Sequence, residues 1–426
     1  MATQLVIQPP TEPPAPGGKR ILVVAGENSG DNFAANLLGE MKKLAPNLQF
    51  YGLGGPRMAE VGVHPLTNIV EQLAIIGLTG VLRNYGTLRK LLSSVYESID
   101  RDAPDAVLLT DYPGFNQRVA EYASERGIPV IYYVCPQFWA WNGRRKYKLA
   151  NIVDLLLVIF RFEEKICREV GINAHYVGHP MLDTLKKTKD RDEVFAELGI
   201  PEDRKLIGLL PGSRKSEVVR LLPLLIEGAG LLRKRMPDVE FVLPRANTVP
   251  QALIDRYMER AEVPIRVVDR DRTNVRAAMD FAWVASGTAT LETAMLGTPL
   301  LIVYKVSFLT WIIGQRLVET PFIGLVNIVA EDRIVPELLQ DDATPENLSD
   351  MTVEYLTVPE KLETLMRGLQ RVRERMGEAG AASQGAKLAW AYLERGHLER
   401  QGKPRRMVGD ATGGAAEKQT GKTKSR

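Results

Sequence analysis

Short runs of uninterrupted apolar residues recur along the chain, each followed by a small polar turn and then by apolar residues at helical spacing. The first is Arg20-Ile-Leu-Val-Val24, followed by Ala25-Gly-Glu-Asn-Ser-Gly-Asp31 and by Ala34, Leu37, Leu38 and Met41 on one helical face. A run apolar on both faces belongs to a strand buried on both faces, typically a parallel one covered by helices. Further strands are predicted at 106–109, 130–134 and 155–159, with a helix over 116–126. A second series has strands at 206–210, 241–243, 265–268, 281–284 and 300–303, and a long helix from about 217 to 235. A charged segment at 186–193 separates the two series. The chain has 426 residues, too many for one compact core. The expectation is an α/β protein of two doubly wound, Rossmann-like domains with an interdomain cleft.

The boundaries that follow are a leader at 1–18, a first domain at 19–185, a second at 186–358, and helices at 359–399 that can cross back to the first domain. The leader is proline-rich, and the tail at 400–426 holds eight basic and two acidic residues without apolar periodicity, so both are expected to be disordered. That tail carries +6 of a net +3, leaving −3 for the remainder. It can attract anionic headgroups or be a solvated terminus. No apolar run reaches membrane-spanning length, and no secretory signal is expected at the N-terminus. Two cysteines, Cys135 and Cys167, cannot build a disulfide framework, which favours a reduced cytoplasmic setting.

Doubly wound sheets bind ligands beyond the carboxyl ends of their strands, so the turns that follow the strands are the candidates. Pro211-Gly-Ser-Arg214 stands between a strand and a helix. Such a turn offers backbone N–H groups, and Arg214 a fork of donors, to a diphosphate; the alternative is a plain turn with a surface arginine. No Gly-Lys-Ser/Thr follows, so it is not a Walker A loop. Ser286-Gly-Thr-Ala-Thr-Leu-Glu292 offers a second small-residue approach, and Glu292 can accept from a ribose diol or favour the helix dipole. Two such loops in one domain point to a nucleotide diphosphate. The turn Ala25–Asp31 lacks the dinucleotide fingerprint, and its acids suit sugar hydroxyls better than phosphate, though Asp31 can simply cap a helix. Asp111 lies just past a strand, where it can be a general base or a turn former before Pro113.

The aromatic stretch 132–141 can stack on sugars or pack internally, and Arg144, Arg145 and Lys146 can steer a phosphorylated substrate or be solvated. The apolar segment 72–82 suits a lipid if exposed and a core helix if buried. The four histidines and two cysteines form no close ligand cluster, and Asp269-Arg-Asp271 reads as a surface turn. No metal, cofactor or nucleic-acid partner is expected.

In order and together, these segments resemble the lipid-A-disaccharide synthases over about residues 20–393. The matching stretches are Ala25–Asp31, Gly52-Leu-Gly-Gly-Pro-Arg-Met58, Asp111-Tyr-Pro-Gly-Phe-Asn116, Trp139-Ala-Trp141, Val177-Gly-His-Pro180, Leu210–Arg214, Ser286–Glu292, Asn327 and Pro336-Glu-Leu-Leu-Gln340. The resemblance implies a GT-B fold and inverting transfer of 2,3-diacylglucosamine from UDP to lipid X, 2,3-diacylglucosamine 1-phosphate, by an enzyme peripheral to the inner membrane. It implies Asp111 as general base and Arg214 as stabiliser of the departing diphosphate. Glu27, Asn28 and Ser29 are implied near the reacting sugars. The implied substrate-binding set also holds Asn116, Ser213, Ser286, Gly287, Thr288, Glu292, Asn327, Glu337 and Gln340. Gly114, Cys135, Gln137 and Arg161 depart from the family pattern, which touches acceptor and acyl-chain choice more than reaction class. The long C-terminal helices and the aromatics are compatible with a homodimer. Rival readings are another UDP-sugar enzyme of this architecture, such as a UDP-N-acetylglucosamine 2-epimerase, and an inactive nucleotide-sugar binder.

Overall fold

A computed structural model describes residue 7 and residues 16–69, 85–139, 143–306 and 320–399. The segment 72–82, Trp141 and the tail 400–426 lie outside the described residues. Two parallel sheets carry the fold. The first holds β1 (Arg20–Ala25), β2 (Gln49–Gly54), β3 (Val63–Asn68), β4 (Ala106–Thr110), β5 (Val130–Tyr133), β6 (Leu155–Val158) and β7 (Ala174–Tyr176), in the order β3-β2-β1-β4-β5-β6-β7. The second holds β8 (Lys205–Leu210), β9 (Val239–Pro244), β10 (Ile265–Val268), β11 (Phe281–Ala285), β12 (Leu300–Tyr304) and β13 (Glu337–Leu339), in the order β10-β9-β8-β11-β12-β13.

Each strand is short because it is buried on both faces. Along β1, Ile21, Val23 and Ala25 pack on one side of the sheet and Leu22 and Val24 on the other. Buried Trp283 in β11 donates its indole N–H to Thr352 at 2.7 Å, so its polar atom is satisfied. In each sheet the winding reverses once, between β1 and β4 and between β8 and β11. A crevice opens outside the carboxyl ends at such a switch point. The four turns that leave these four strands are Gly26–Glu27, Asp111–Tyr112, Pro211–Arg214 and Ser286–Gly287.

Strands β2, β3, β7 and β13 add to those expected from the apolar runs. β2 was hidden because Gly52 interrupts it; at φ 139° an added Cβ would lie 2.2 Å from the Val23 carbonyl oxygen. The helix expected over 116–126 spans Pro113–Glu125, with proline in its first turn. The helix Pro359–Met376 packs on the helices Thr288–Met295 and Leu325–Ala330 of the second sheet. The helix Ala381–Glu399 packs instead on Asn28–Leu44 of the first. Gly385 makes that contact close, since an added Cβ would meet Leu37 Cδ1 at 3.0 Å. Asp183 accepts from the N–H groups of Gly380, Ala381 (3.2 Å) and Ala382 (3.0 Å), which caps this last helix where the chain returns.

Candidate active site

Asp111 follows the fully buried strand β4 in a left-handed conformation (φ 52°), and Tyr112 follows at φ 48°. Two consecutive non-glycine residues in that region are held only if their surroundings over-determine them. The holding groups are buried. The Asn116 amide donates to the carbonyl oxygens of Asp111 at 2.7 Å and Thr110 at 3.1 Å, and the Tyr132 hydroxyl donates to that of Asp111 at 2.7 Å. Asn116 is itself fully buried, and its amide holds the backbone of Asp111.

The turn after β1 lies against this loop. An added Cβ on Gly26 would sit 2.4 Å from the Tyr112 ring, and one on Gly30 would sit 3.6 Å from Asp111 Cβ. Glu27 is exposed at the N-cap of the helix Asn28–Leu44, and Ser29 is half-buried beside it. Burial, and then the negative charge of Glu27, raise the Asp111 pKa from its usual range to about 6; the Tyr112 N–H and the positive charge of Arg214 oppose the rise. Burial and Glu27 likewise push the Tyr112 phenol up to about 12. The charge of Arg214, from the second sheet, is thus felt at a carboxylate of the first.

Among the described residues, Asp31 is seen to cap a helix other than its own. Its carboxylate accepts from the N–H groups of Gly55 (2.9 Å), Arg57 (3.0 Å) and Met58 (3.1 Å), at the start of the helix Pro56–Glu60. It thereby ties the segment 52–58 to the turn after β1.

In the second sheet, Arg214 is mostly exposed and donates through Nη1 to Glu217 Oε1 at 3.1 Å. Glu217 Oε2 accepts from the N–H groups of Ser213 at 3.0 Å and Arg214 at 3.1 Å. The expectation of free loop amides is therefore corrected: a carboxylate of the same chain already takes them. Ser286 donates to the Ile323 carbonyl at 3.1 Å, and Thr290 to that of Gly287 at 2.8 Å. Gly287 (φ 149°) and Thr288 are exposed, with open space where a Gly287 side chain would stand. Glu292 forms an ion pair with Arg276.

Three of the residues implied in substrate binding are spent on the loops around this site. Buried Asn327 donates to the Val335 carbonyl and to Glu337 Oε1, both at 2.9 Å, and accepts from the N–H groups of Ile334 and Val335 at 3.0 Å. Glu337 accepts from Ile323 N–H (3.2 Å) and Gly324 N–H (2.9 Å). Gln340 pairs with both backbone groups of Val306, at 2.7 and 3.2 Å. They shape the 306 and 323–324 segments.

Sequence reasoning missed Glu163. It is buried, accepts from the indole N–H of Trp139 at 2.9 Å and from the N–H groups of Ile159 (3.2 Å) and Phe160 (3.1 Å), and burial raises its pKa to about 7. It fixes the aromatic segment to the helix Arg161–Arg168. Cys135 and Cys167 are buried free thiols, Gln137 is exposed, and Gly114 has open space around it. Arg144 is exposed, while Arg145 and Lys146 are half-buried. Among the described residues, no three His, Cys, Asp or Glu side chains are placed to hold a metal ion. Asp269 pairs with Arg245, and Asp271 with Lys189. Among the described residues no helix is long and apolar enough to cross a membrane.

Two Rossmann-like sheets with loops gathered at their switch points are the GT-B arrangement, shared by glycosyltransferases and sugar-nucleotide epimerases. Acinetobacter baumannii MurG has this fold (TM-score 0.52, 15% identity, 88% of this chain and 99% of that one). So does the UDP-GlcNAc 2-epimerase from Neisseria meningitidis bound to UDP-GlcNAc (TM-score 0.57, 12% identity, 88% and 99%). These likenesses establish the fold alone. The profile of the family described as lipid-A-disaccharide synthetase matches residues 21–389. The lipid-A-disaccharide synthase of Geobacter metallireducens is 40% identical over 376 residues, covering 88% of this chain and 97% of its own. That of Syntrophus aciditrophicus is 40% identical over 378 residues, covering 88% and 98%. The chain belongs to the lipid-A-disaccharide synthase family, and it is a hexosyltransferase of lipid A biosynthesis.

Proposed function

We propose that the protein transfers 2,3-diacylglucosamine from UDP to the 6-hydroxyl of lipid X, with inversion, giving the β-1,6-linked disaccharide and UDP. The observation that carries this reading is Asp111 raised to about 6, with Glu27 beside it and the charge of Arg214 reaching it from the second sheet. A carboxylate of that basicity is mostly ionised at neutral pH, yet holds a proton better than an ordinary aspartate. Asp111 takes the proton of the acceptor hydroxyl, and the oxygen attacks the anomeric carbon in line with the diphosphate. The bond to UDP breaks as the new one forms, and its electron pair leaves on the diphosphate. Arg214 meets that developing charge with donors in a fixed fork.

Residues 19–185 form the acceptor side in this reading and residues 186–358 the donor side. Ser286, Gly287, Thr288 and Ser213 border the diphosphate, Glu292 the ribose, and Glu27, Asn28 and Ser29 the sugars. Asn116, Asn327, Glu337 and Gln340 act behind them as loop supports. The enzyme works on the cytoplasmic face of the inner membrane as a peripheral protein, since both substrates are lipids.

The test is transfer from UDP-2,3-diacylglucosamine to lipid X by purified protein with EDTA present. Disaccharide and UDP in equal amounts are expected. Retained UDP binding without disaccharide, together with turnover of UDP-N-acetylglucosamine, would overturn this reading in favour of an epimerase.

A further inference from the structure

The loop after β8 has the position and glycine geometry of a phosphate cradle, yet its cradle is filled. Gly212 stands at φ 109°, and an added Cβ there would lie 2.3 Å from Glu217 Oε2 and 2.8 Å from Glu217 Cβ. The acid is tucked in, its side chain 23% exposed, while Arg214 projects at 65%. One carboxylate oxygen takes two consecutive amides, and the other takes a guanidinium N–H. The far side of the loop is pinned as well, because Thr248 donates to the Ser213 carbonyl at 2.6 Å. Arg220 donates to the Lys305 carbonyl at 3.4 Å, and among the described residues the ion pair of Glu217 is with Arg214. A guanidinium has five N–H donors, and Glu217 engages one of them.

We propose that Glu217 is the positioning residue of Arg214: it closes the loop amides to phosphate and fixes the guanidinium, so that the donor diphosphate is met by the Arg214 side chain and not by the loop backbone. The inference rests on the role proposed above for Arg214. It separates this loop from phosphate cradles in which backbone N–H groups bind the anion directly. In those, a carboxylate among the amides would compete with the ligand. Here it orients the one side chain that must face the leaving group.

Glu217 also closes a helix cap, so a loss of activity alone would not separate the two roles. Glu217→Gln does separate them. The amide oxygen can still accept from the Ser213 and Arg214 N–H groups, whereas its NH2 group cannot accept from Arg214 Nη1. Melting temperature, and kcat and KM for the donor, are measured for wild type, E217Q, R214A and the double variant. E217Q is expected to melt near wild type and to lose about 10- to 100-fold in kcat, the scale of one misplaced transition-state donor. In the R214A background the same change is expected to cost nothing further. Equal losses in both backgrounds, or tighter donor binding with undiminished kcat, overturn the inference. Undiminished turnover in R214A removes Arg214 from the reaction and the inference with it, while loss in R214A with normal turnover in E217Q overturns the inference alone. Glu217→Asp draws the charge back by one methylene and serves in place of E217Q if that variant does not fold; it too is expected to lower kcat only where Arg214 is present.

Discussion

Replacing Asp111 with asparagine is expected to stop turnover and make the protein more stable at neutral pH. Asparagine suits the site, because it tolerates left-handed backbone better than alanine and Asp111 stands at φ 52°. The Asp111 pKa rises from 3.8 to about 6 in the fold. At about 1.4 kcal/mol per unit the shift corresponds to roughly 3 kcal/mol. The side chain is partly open to solvent and Glu27 is exposed, so about 1–2 kcal/mol survives screening. The folded state keeps its proton to higher pH than the unfolded chain does. Its contribution is therefore fully present below about pH 4 and lost as pH rises through about 6. D111N has no such loss, so its advantage opens between those limits and is complete above about pH 7. Urea unfolding midpoints of both proteins across that range measure the difference, and disaccharide formation measures turnover. A D111N protein no more stable than wild type at pH 7.5, or an advantage that does not shrink toward pH 4.5, would refute the raised Asp111 pKa.

Arg214→Lys keeps the charge but loses the fork and the bond to Glu217; kcat is expected to fall about 100-fold with UDP still bound, as read by single-turnover transfer and UDP titration. Asn327→Ala strands the buried N–H group of Val335, at about 1–3 kcal/mol, while Ile334 N–H keeps the Asp332 carbonyl at 3.1 Å. A lowered melting temperature is expected, with UDP affinity of the folded fraction little changed; unaltered stability with lost UDP affinity would make Asn327 a contact residue after all.

The parts of the fold legible in the sequence are those with a local signature. β1, β4, β8 and β11 are apolar on both faces, and the turn after each carries the candidate chemistry, so these turns could be singled out from runs and punctuation, while the strand order that puts them at the switch points comes from pairing. β3 holds His64 and Pro65 and has no such signature; pairing with β2 defines it as a strand. The candidate site divides in the same way. Asp111 and Arg214 could be named from their positions after strands. Asn116, Asn327 and Gln340 are implied as substrate-binding residues by the resemblance alone, and folding shows that their amides are used on backbone carbonyls and N–H groups. Asp31 meets its partners 24 to 27 residues away, a separation that no helical or strand period marks. Glu163 in the chain looks like an acid in the first turn of a helix, and its burial under Trp139 comes from the packing of the Trp139 loop on that helix.

In the proposed reaction, the charges around Asp111 also divide the labour between base and leaving group. Paired directly with an arginine, an aspartate becomes a weaker base, because the cation stabilises its ionised form. Here burial and Glu27 outweigh Arg214, so the carboxylate stays basic while the cation remains available to the diphosphate. The balance is testable through the acid limb of the pH–rate profile. In wild type, kcat/KM is expected to rise through about pH 6 as Asp111 ionises, then to level. Glu27→Gln removes the nearby negative charge and keeps the side-chain length, so the proton leaves Asp111 more readily and the limb moves to lower pH. Above the limb the variant is expected to be slower, since its base is weaker. Arg214→Ala has the opposite sign: the opposing charge is gone and the limb moves up. Opposite displacements in the two variants would place both charges on one carboxylate. A limb that stays put in E27Q would mean that another group limits the acid side, and Glu163, raised to about 7 behind Trp139, would be the next one to substitute.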